Sequence, residues 1–207
     1  MVKNRVRIIS GIWKGRKLQF PEDEGVRPTL GRARETLFAW LTGVIEHAAC
    51  LDLYAGSGSL GYEALSRGAK TVVFVDSNKR VIQQLQKNNN ILDAKLRATA
   101  RLSSAKRFLE ASKTKWDIIF LDPPYKSTEF DSSLKLIAER NLLENGGLIY
   151  FERPLKTELS FGTNWEVLKK AKAGDSQYGL ITLSQEKRSG DLYAGQSTDN
   201  INATVKE

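Results

Sequence analysis

The stretch Leu51-Asp52-Leu53-Tyr54-Ala55-Gly56-Ser57-Gly58-Ser59-Leu60-Gly61 constrains the fold more than any other part of the chain. Residues 50–54 read as a short apolar strand. Gly56, Gly58 and Gly61 then supply a G-x-G-x-x-G turn into a helix that ends near Gly68. A second apolar strand covers 71–75, and Asp76 follows it, 20 residues after Gly56. Strand, glycine turn, helix and a second strand ending in an acid make a parallel unit. Such a unit holds a nucleotide-like ligand at the carboxyl edge of its sheet.

The alternation continues downstream. Strands are expected at 96–100, 117–121 and 148–152, and helices at 78–91, 104–112 and 130–142, the last stopped by Gly146-Gly147. Residues 165–171 and 178–186 read as a terminal antiparallel pair. The expectation is an α/β fold with a mostly parallel seven-stranded sheet, covered by helices on both faces. Upstream, 5–9 and 16–20 read as a hairpin, 21–28 as a linker, and 30–46 as a helix capped by Thr29. Its apolar face carries Ala33, Leu37, Trp40, Leu41, Val44 and Ile45. The organisation is then a basic hairpin extension at 1–28, a main domain at 29–187, and a polar tail at 188–207 expected to be disordered.

The glycine turn alone admits a dinucleotide. Asp52 tilts the choice, because it sits four residues before Gly56, where a pyrophosphate approaches the helix N-terminus. A carboxylate repels that anion and attracts a ligand carrying an ammonium and a sulfonium. S-adenosylmethionine is such a ligand, and D-x-x-x-G-x-G resembles motif I of the class I methyltransferases. Ala55, Gly56, Ser57 and Gly58 would then line the methionine and ribose, and Gly58→Val would fill that space. Asp76 and Ser77 would face the ribose hydroxyls. The structural alternatives are a loop cap for Asp52 and a helix N-cap for Asp76.

A second motif, Asp122-Pro123-Pro124-Tyr125, follows the strand at 117–121. Neither proline has an N–H, so the loop is stiff and rich in acceptors. Asp122 and the Pro123 carbonyl can accept from the two hydrogens of a nucleobase amine, whose lone pair is then freed for attack on a methyl sulfonium. Tyr125 offers a ring on which an unstacked base can rest. The motif resembles the Asp/Asn-Pro-Pro-Tyr/Phe signature of amino-group methyltransferases.

Charge points to the same class of substrate. The chain carries 32 Lys+Arg against 24 Asp+Glu, a net +8. Residues 1–34 hold nine of the bases and three of the acids, so +6 of that charge sits at one end. Such a field suits a polyanion, with Arg5, Arg7, Lys14, Arg16, Lys17 and Arg27 as phosphate contacts. One histidine and one cysteine leave no His/Cys metal cluster and no disulfide, and no apolar run spans a bilayer. The expectation is a cytoplasmic, metal-free monomer.

Three further segments carry a family resemblance: Arg7-Ile8-Ile9-Ser10-Gly11 with Lys14-Gly15-Arg16; Arg27-Pro28-Thr29 with Arg32 and Arg34-Glu35-Thr36-Leu37-Phe38; and Glu63-Ala64-Leu65-Ser66-Arg67. With the two motifs above, the chain from about Arg7 to Glu186 resembles the RsmD family of bacterial small-subunit rRNA guanine-N2 methyltransferases. The resemblance implies a Rossmann-like class I methyltransferase with an N-terminal β-hairpin. It implies S-adenosylmethionine as cofactor and guanine 966 of 16S rRNA, in the small ribosomal subunit, as target. Thr29 and Arg32 would adjoin the cofactor. Ser104, beside Ala105, stands where the family pattern has Asp or Asn against the adenine amine. Adenine-N6 methylation of RNA or DNA is the alternative reading. An amide methyltransferase would carry Asn in place of Asp122.

Overall fold

The computed structural model describes residues 5–21, 31–124, 129–159 and 161–184. Seven strands form one sheet: β3 (Ala49–Asp52), β4 (Thr71–Asp76), β5 (Ala98–Leu102), β6 (Trp116–Leu121), β7 (Leu143–Pro154), β8 (Trp165–Ala173) and β9 (Ser176–Leu183). Their order is β5-β4-β3-β6-β7-β9-β8. The first five pair in parallel, and β9 runs antiparallel to β7 and β8. This is the expected α/β architecture. A hairpin of β1 (Arg5–Arg7) and β2 (Lys17–Gln19) precedes it.

Strand alternation divides the core in two. Cys50, Phe74, Phe120, Tyr150 and Tyr178 face one side. There they meet α1 (Gly31–Trp40), α2 (Ser59–Ser66) and α3 (Lys79–Ile91). Leu51, Val75, Ile119, Leu121 and Phe151 face the other, against α4 (Ala105–Ala111) and α5 (Glu129–Glu139). Burying both faces is why these strands read as continuous apolar runs.

The hairpin shares the first of these cores through Val6, Ile8, Trp13, Leu18 and Phe20. It is latched to α2 by polar contacts. Glu63, fully buried, accepts from the backbone N–H of Ile9 at 2.7 Å and of Ser10 at 3.0 Å, and from Arg67 Nε at 2.7 Å. Ser66 Oγ accepts from Trp13 N–H and donates to the Ser10 carbonyl. Gly11 approaches so closely that an added Cβ would lie 1.8 Å from the Ser66 carbonyl oxygen.

Two helix ends differ from the pattern. The helix expected to reach residue 46 stops at Trp40, because Gly43 adopts φ +87° and the chain turns. Leu41 and Ile45 are buried as the periodicity demanded, but Val44 is half exposed. The helix expected to end at 142 stops at Glu139, and Asn141 (φ 51°) ends it rather than Gly146-Gly147. Asparagine tolerates the left-handed region, and the Leu142 N–H bonds back to the Ile137 carbonyl. The two glycines belong to the irregular start of β7, where the ladder jumps from Trp116↔Leu143 to Ile118↔Leu148. The third strand lies two residues later than expected, at 98–102. Residues 185 and 186 of the last expected strand, and the tail from 188, lie outside the described residues.

Removing Glu63 strands Arg67 and two half-buried N–H groups. Glu63→Ala is expected to cost about 3–5 kcal/mol, read as a lower midpoint of urea unfolding. A loss under about 1 kcal/mol would show that the latch is incidental.

Candidate active site

The strands end in acids at the carboxyl edge. Asp52 closes β3, Asp76 closes β4, Asp122 follows β6, and Glu152 lies near the end of β7. Each lies two residues beyond, or in step with, a residue of the first core, so all four point to the face covered by α1 and α2.

Asp52 is 3 % exposed, and its Oδ2 accepts from the Gly61 N–H at 3.0 Å. It caps the glycine turn from below. Burial pushes its pKa up to about 8, against the Gly61 N–H, and the nearby Asp76 adds to the rise. Asp76 is half-buried and accepts from Gly56 N–H at 3.0 Å and Asn78 N–H at 2.8 Å. The N-cap of α3 is Asn78, whose side chain accepts from Arg80 N–H. Asp76 therefore braces the glycine turn instead of capping the helix.

The turn itself is tight. Gly56 has φ 49° and Gly58 φ 73°, and Gly58 N–H bonds to the Ala55 carbonyl at 2.7 Å. Ala55 and Ser57 are buried, and Ser57 Oγ accepts from Ser59 N–H. A Cβ on Gly58 would lie 2.6 Å from Tyr62 and Leu85, inside the protein. The expected reason for Gly58, space for a ligand, is thus corrected: its backbone angle and its packing on α2 and α3 require glycine. Gly61 is required by packing too, since its Cβ would lie 2.3 Å from the Phe74 ring.

Asp122 is half-buried, and Pro123 is buried behind it. Burial raises the Asp122 pKa well above the ordinary range, with Glu152 and then Asp52 adding to the effect. Ser77 and Ser104 are exposed. Ser104 is the N-cap of α4, accepting from Arg107 N–H, and Ala105 is buried behind it. Arg32 is exposed on the first turn of α1. Thr29, Arg27 and Tyr125 lie outside the described residues.

On the hairpin, Arg5, Arg7, Lys14, Arg16 and Lys17 are all exposed, while Val6 and Leu18 point inward. Arg16 donates to the Ile91 carbonyl at 3.0 Å. Arg34, counted in the basic end of the chain, is instead 4 % exposed and donates to the Arg7 carbonyl at 2.8 Å. Burial lowers its pKa, against the pull of Glu63. The basic surface is therefore smaller than the sequence count.

Glu152 was not singled out by the sequence reading. It is 7 % exposed, and its Oε2 accepts from the Tyr150 hydroxyl at 3.1 Å. The available signal was register: two neighbouring parallel strands, 117–121 and 148–152, each run into an acid at one level.

Among the described residues, neither Asp52 nor Asp122 forms an ion pair, and the charges that perturb them are other carboxylates. Such a site fits a cationic ligand and repels a pyrophosphate. Among the same residues no cluster of three or more His, Cys, Asp or Glu could hold a metal ion, and no helix is long and apolar enough to cross a membrane.

Strand order, glycine turn and edge carboxylates together define a class I, Rossmann-like methyltransferase. A family model described as "Conserved hypothetical protein 95" matches residues 6–182. "Ribosomal RNA small subunit methyltransferase D" of Haemophilus influenzae is 41% identical over 181 residues, covering 86% of this chain and 94% of that protein. The protein of the same name from Escherichia coli is 41% identical over 179 residues, covering 85% and 89%. A solved structure, "Putative methyltransferase yhhF from Escherichia coli", is 40% identical with a TM-score of 0.79, covering 87% of this chain and 98% of that one. The chain belongs to this family, the RsmD methyltransferases.

The raised pKa of Asp52 has a consequence for stability. The folded protein holds a proton there that the unfolded chain, with an ordinary aspartate, releases above about pH 4. Its contribution therefore falls as pH rises from about 4 to about 8 and is flat beyond. Asp52→Asn is expected to flatten the urea-measured stability profile across that window. An unchanged slope would show that Asp52 is ionised when buried.

Proposed function

We propose that this protein transfers a methyl group from S-adenosylmethionine to the exocyclic N2 amine of a guanine in 16S rRNA, the family target 966, within the small ribosomal subunit. The observation that carries the reading is the pair Asp52 and Asp122 at the sheet edge beside Pro123, shielded by burial and, among the described residues, without an ion pair. The names of the curated relatives support the rRNA substrate.

Asp52, the 55–58 turn and Asp76 would hold the cofactor, with Ser77 and the α4 N-terminus at Ser104-Ala105 beside it. When bound there, the cofactor supplies an electrophilic methyl group on a sulfonium. The chain's own residues bind, align and desolvate. Asp122 and the Pro123 carbonyl accept from the two N2 hydrogens and orient the nitrogen lone pair. No strong base is needed first, since the methylated ammonium is acidic and sheds its proton readily. Alignment at about 3–3.5 Å does most of the work. Tyr125 stacks on the flipped base, worth about 1–3 kcal/mol.

The test is mass mapping of 16S rRNA from particles incubated with the protein and labelled cofactor. A methyl on guanine N2 supports the reading; a methyl on adenine N6, or none, overturns it. Asp122→Ala should lower kcat on the order of 100- to 1,000-fold while leaving cofactor affinity near wild type. Tyr125→Phe should be nearly silent and Tyr125→Ala severe; an inactive, folded Tyr125→Phe would assign the hydroxyl a chemical role.

The exposed hairpin bases should track phosphates. Replacing Arg5, Arg7 and Lys17 together by glutamine is expected to reduce the slope of log K against log salt by about two to three, at about 0.7–0.9 per contact. An intact slope in filter binding to particles would limit the hairpin to a structural role.

A further inference from the structure

Asp122 has a neighbour that the Asp-Pro-Pro-Tyr motif does not contain. The β6–β7 ladder pairs Phe120 with Tyr150 and Leu121 with Phe151, so the next step sets Asp122 beside Glu152. Adjacent strands lie about 4.8 Å apart. The Phe120 and Tyr150 rings, 6.5 Å apart on one face, show that Asp122 and Glu152 share that face, two residues further along each strand. Glu152 is 7 % exposed and fixed by the Tyr150 hydroxyl on Oε2. Its neighbour in the β7–β9 ladder is Tyr178, whose ring lies 5.6 Å from Trp40 of α1. A buried acid in this position is costly, and a hydrophobic residue would suffice for the sheet.

We propose that Glu152 accepts the N1–H of the target guanine while Asp122 and Pro123 hold the adjoining N2 amine, and that this contact makes the site specific for guanine. The proposal rests on the guanine-N2 reading above. Its chemistry is that of base edges. In adenine and cytosine the ring nitrogen that flanks the amine on the Watson–Crick edge is an acceptor. In guanine it carries a hydrogen. A carboxylate beside the amine pocket therefore satisfies guanine and sets lone pair against lone pair with the other two. Base-modifying enzymes read the flipped base by such edge contacts, and sites built to bond a substrate hydrogen discriminate strongly against analogues lacking it. Mutual repulsion with Asp122 is relieved when both acids receive donors from one base.

The test compares guanine with 2-aminopurine at the target position, in small-subunit particles reconstituted with each 16S rRNA. 2-Aminopurine keeps the N2 amine but has a bare N1. Wild type is expected to favour guanine by 100-fold or more in single-turnover rate. In Glu152→Gln the amide can donate to the bare N1, so the preference should fall at least tenfold. Glu152→Asp, which keeps the carboxylate, should retain the preference at a lower rate. Calorimetry with adenosylhomocysteine and thermal melting establish that both variants fold and bind. If Glu152→Gln slows both substrates equally, or if wild type does not discriminate, Glu152 is only structural and the proposal is wrong. If wild type leaves guanine N2 unmodified, the functional reading itself fails, and this proposal with it.

Discussion

Parallel register fixes the site. Asp52 pairs with both Phe74 and Phe120, and Phe120 pairs with Tyr150, so four strands are locked in step. Wherever these strands end, their last same-face residues form a row. Here that row is Asp76, Asp122 and Glu152, with Asp52 one level below. No loop has to bring them together. The fold places acids side by side in a shielded edge, where burial first, and the neighbouring carboxylates after it, raise the proton affinity of Asp52 and Asp122. Burial makes charge on Asp52 and Asp122 costly, and a cationic ligand, or a base offering amine hydrogens, offsets that cost.

The glycine turn depends on that edge as much as it shapes it. Asp52 bonds the Gly61 N–H and Asp76 the Gly56 N–H, so two of the carboxylates suspend the turn from below and from the side. The helix that follows, α2, is in turn the seat of the hairpin. Glu63 and Ser66 of α2 hold residues 9–13, while Arg34 of α1 holds the Arg7 carbonyl. The basic face that would meet RNA and the turn that would meet the cofactor are thus fastened to one short helix. Orientation of one with respect to the other is rigid, which suits a reaction governed by alignment.

Much of this was legible in the sequence. Alternating apolar runs with glycine turns gave the parallel sheet, and both motifs fell at strand ends, where ligands sit in such folds. Side-chain purpose was less legible. Gly58 looks like room for a ligand and is room for Tyr62 and Leu85. Asp52 reads as a charged attractor and is foremost a buried acceptor for Gly61. Arg34 counts as surface charge and is buried. In each case the partner is distant in sequence or contributed by backbone, so no local pattern announces it. Helix ends were misjudged for a local reason: an asparagine in the left-handed region stops α5 before the Gly-Gly pair does. Glu152 was hidden because it belongs to no motif and acquires meaning only from its strand neighbour.

The central claim is that Asp52 holds a proton when alone and ionises to receive a cation. Calorimetry of S-adenosylmethionine binding at about pH 6.5, in two buffers of different ionisation enthalpy, measures this directly. At that pH the ligand's own amine keeps its proton, since α-amino groups titrate near 7.7–8.0. The account predicts net proton release to the buffer on binding, and a smaller release in Asp52→Asn. Binding with no proton exchange, the same in both buffers, would contradict it.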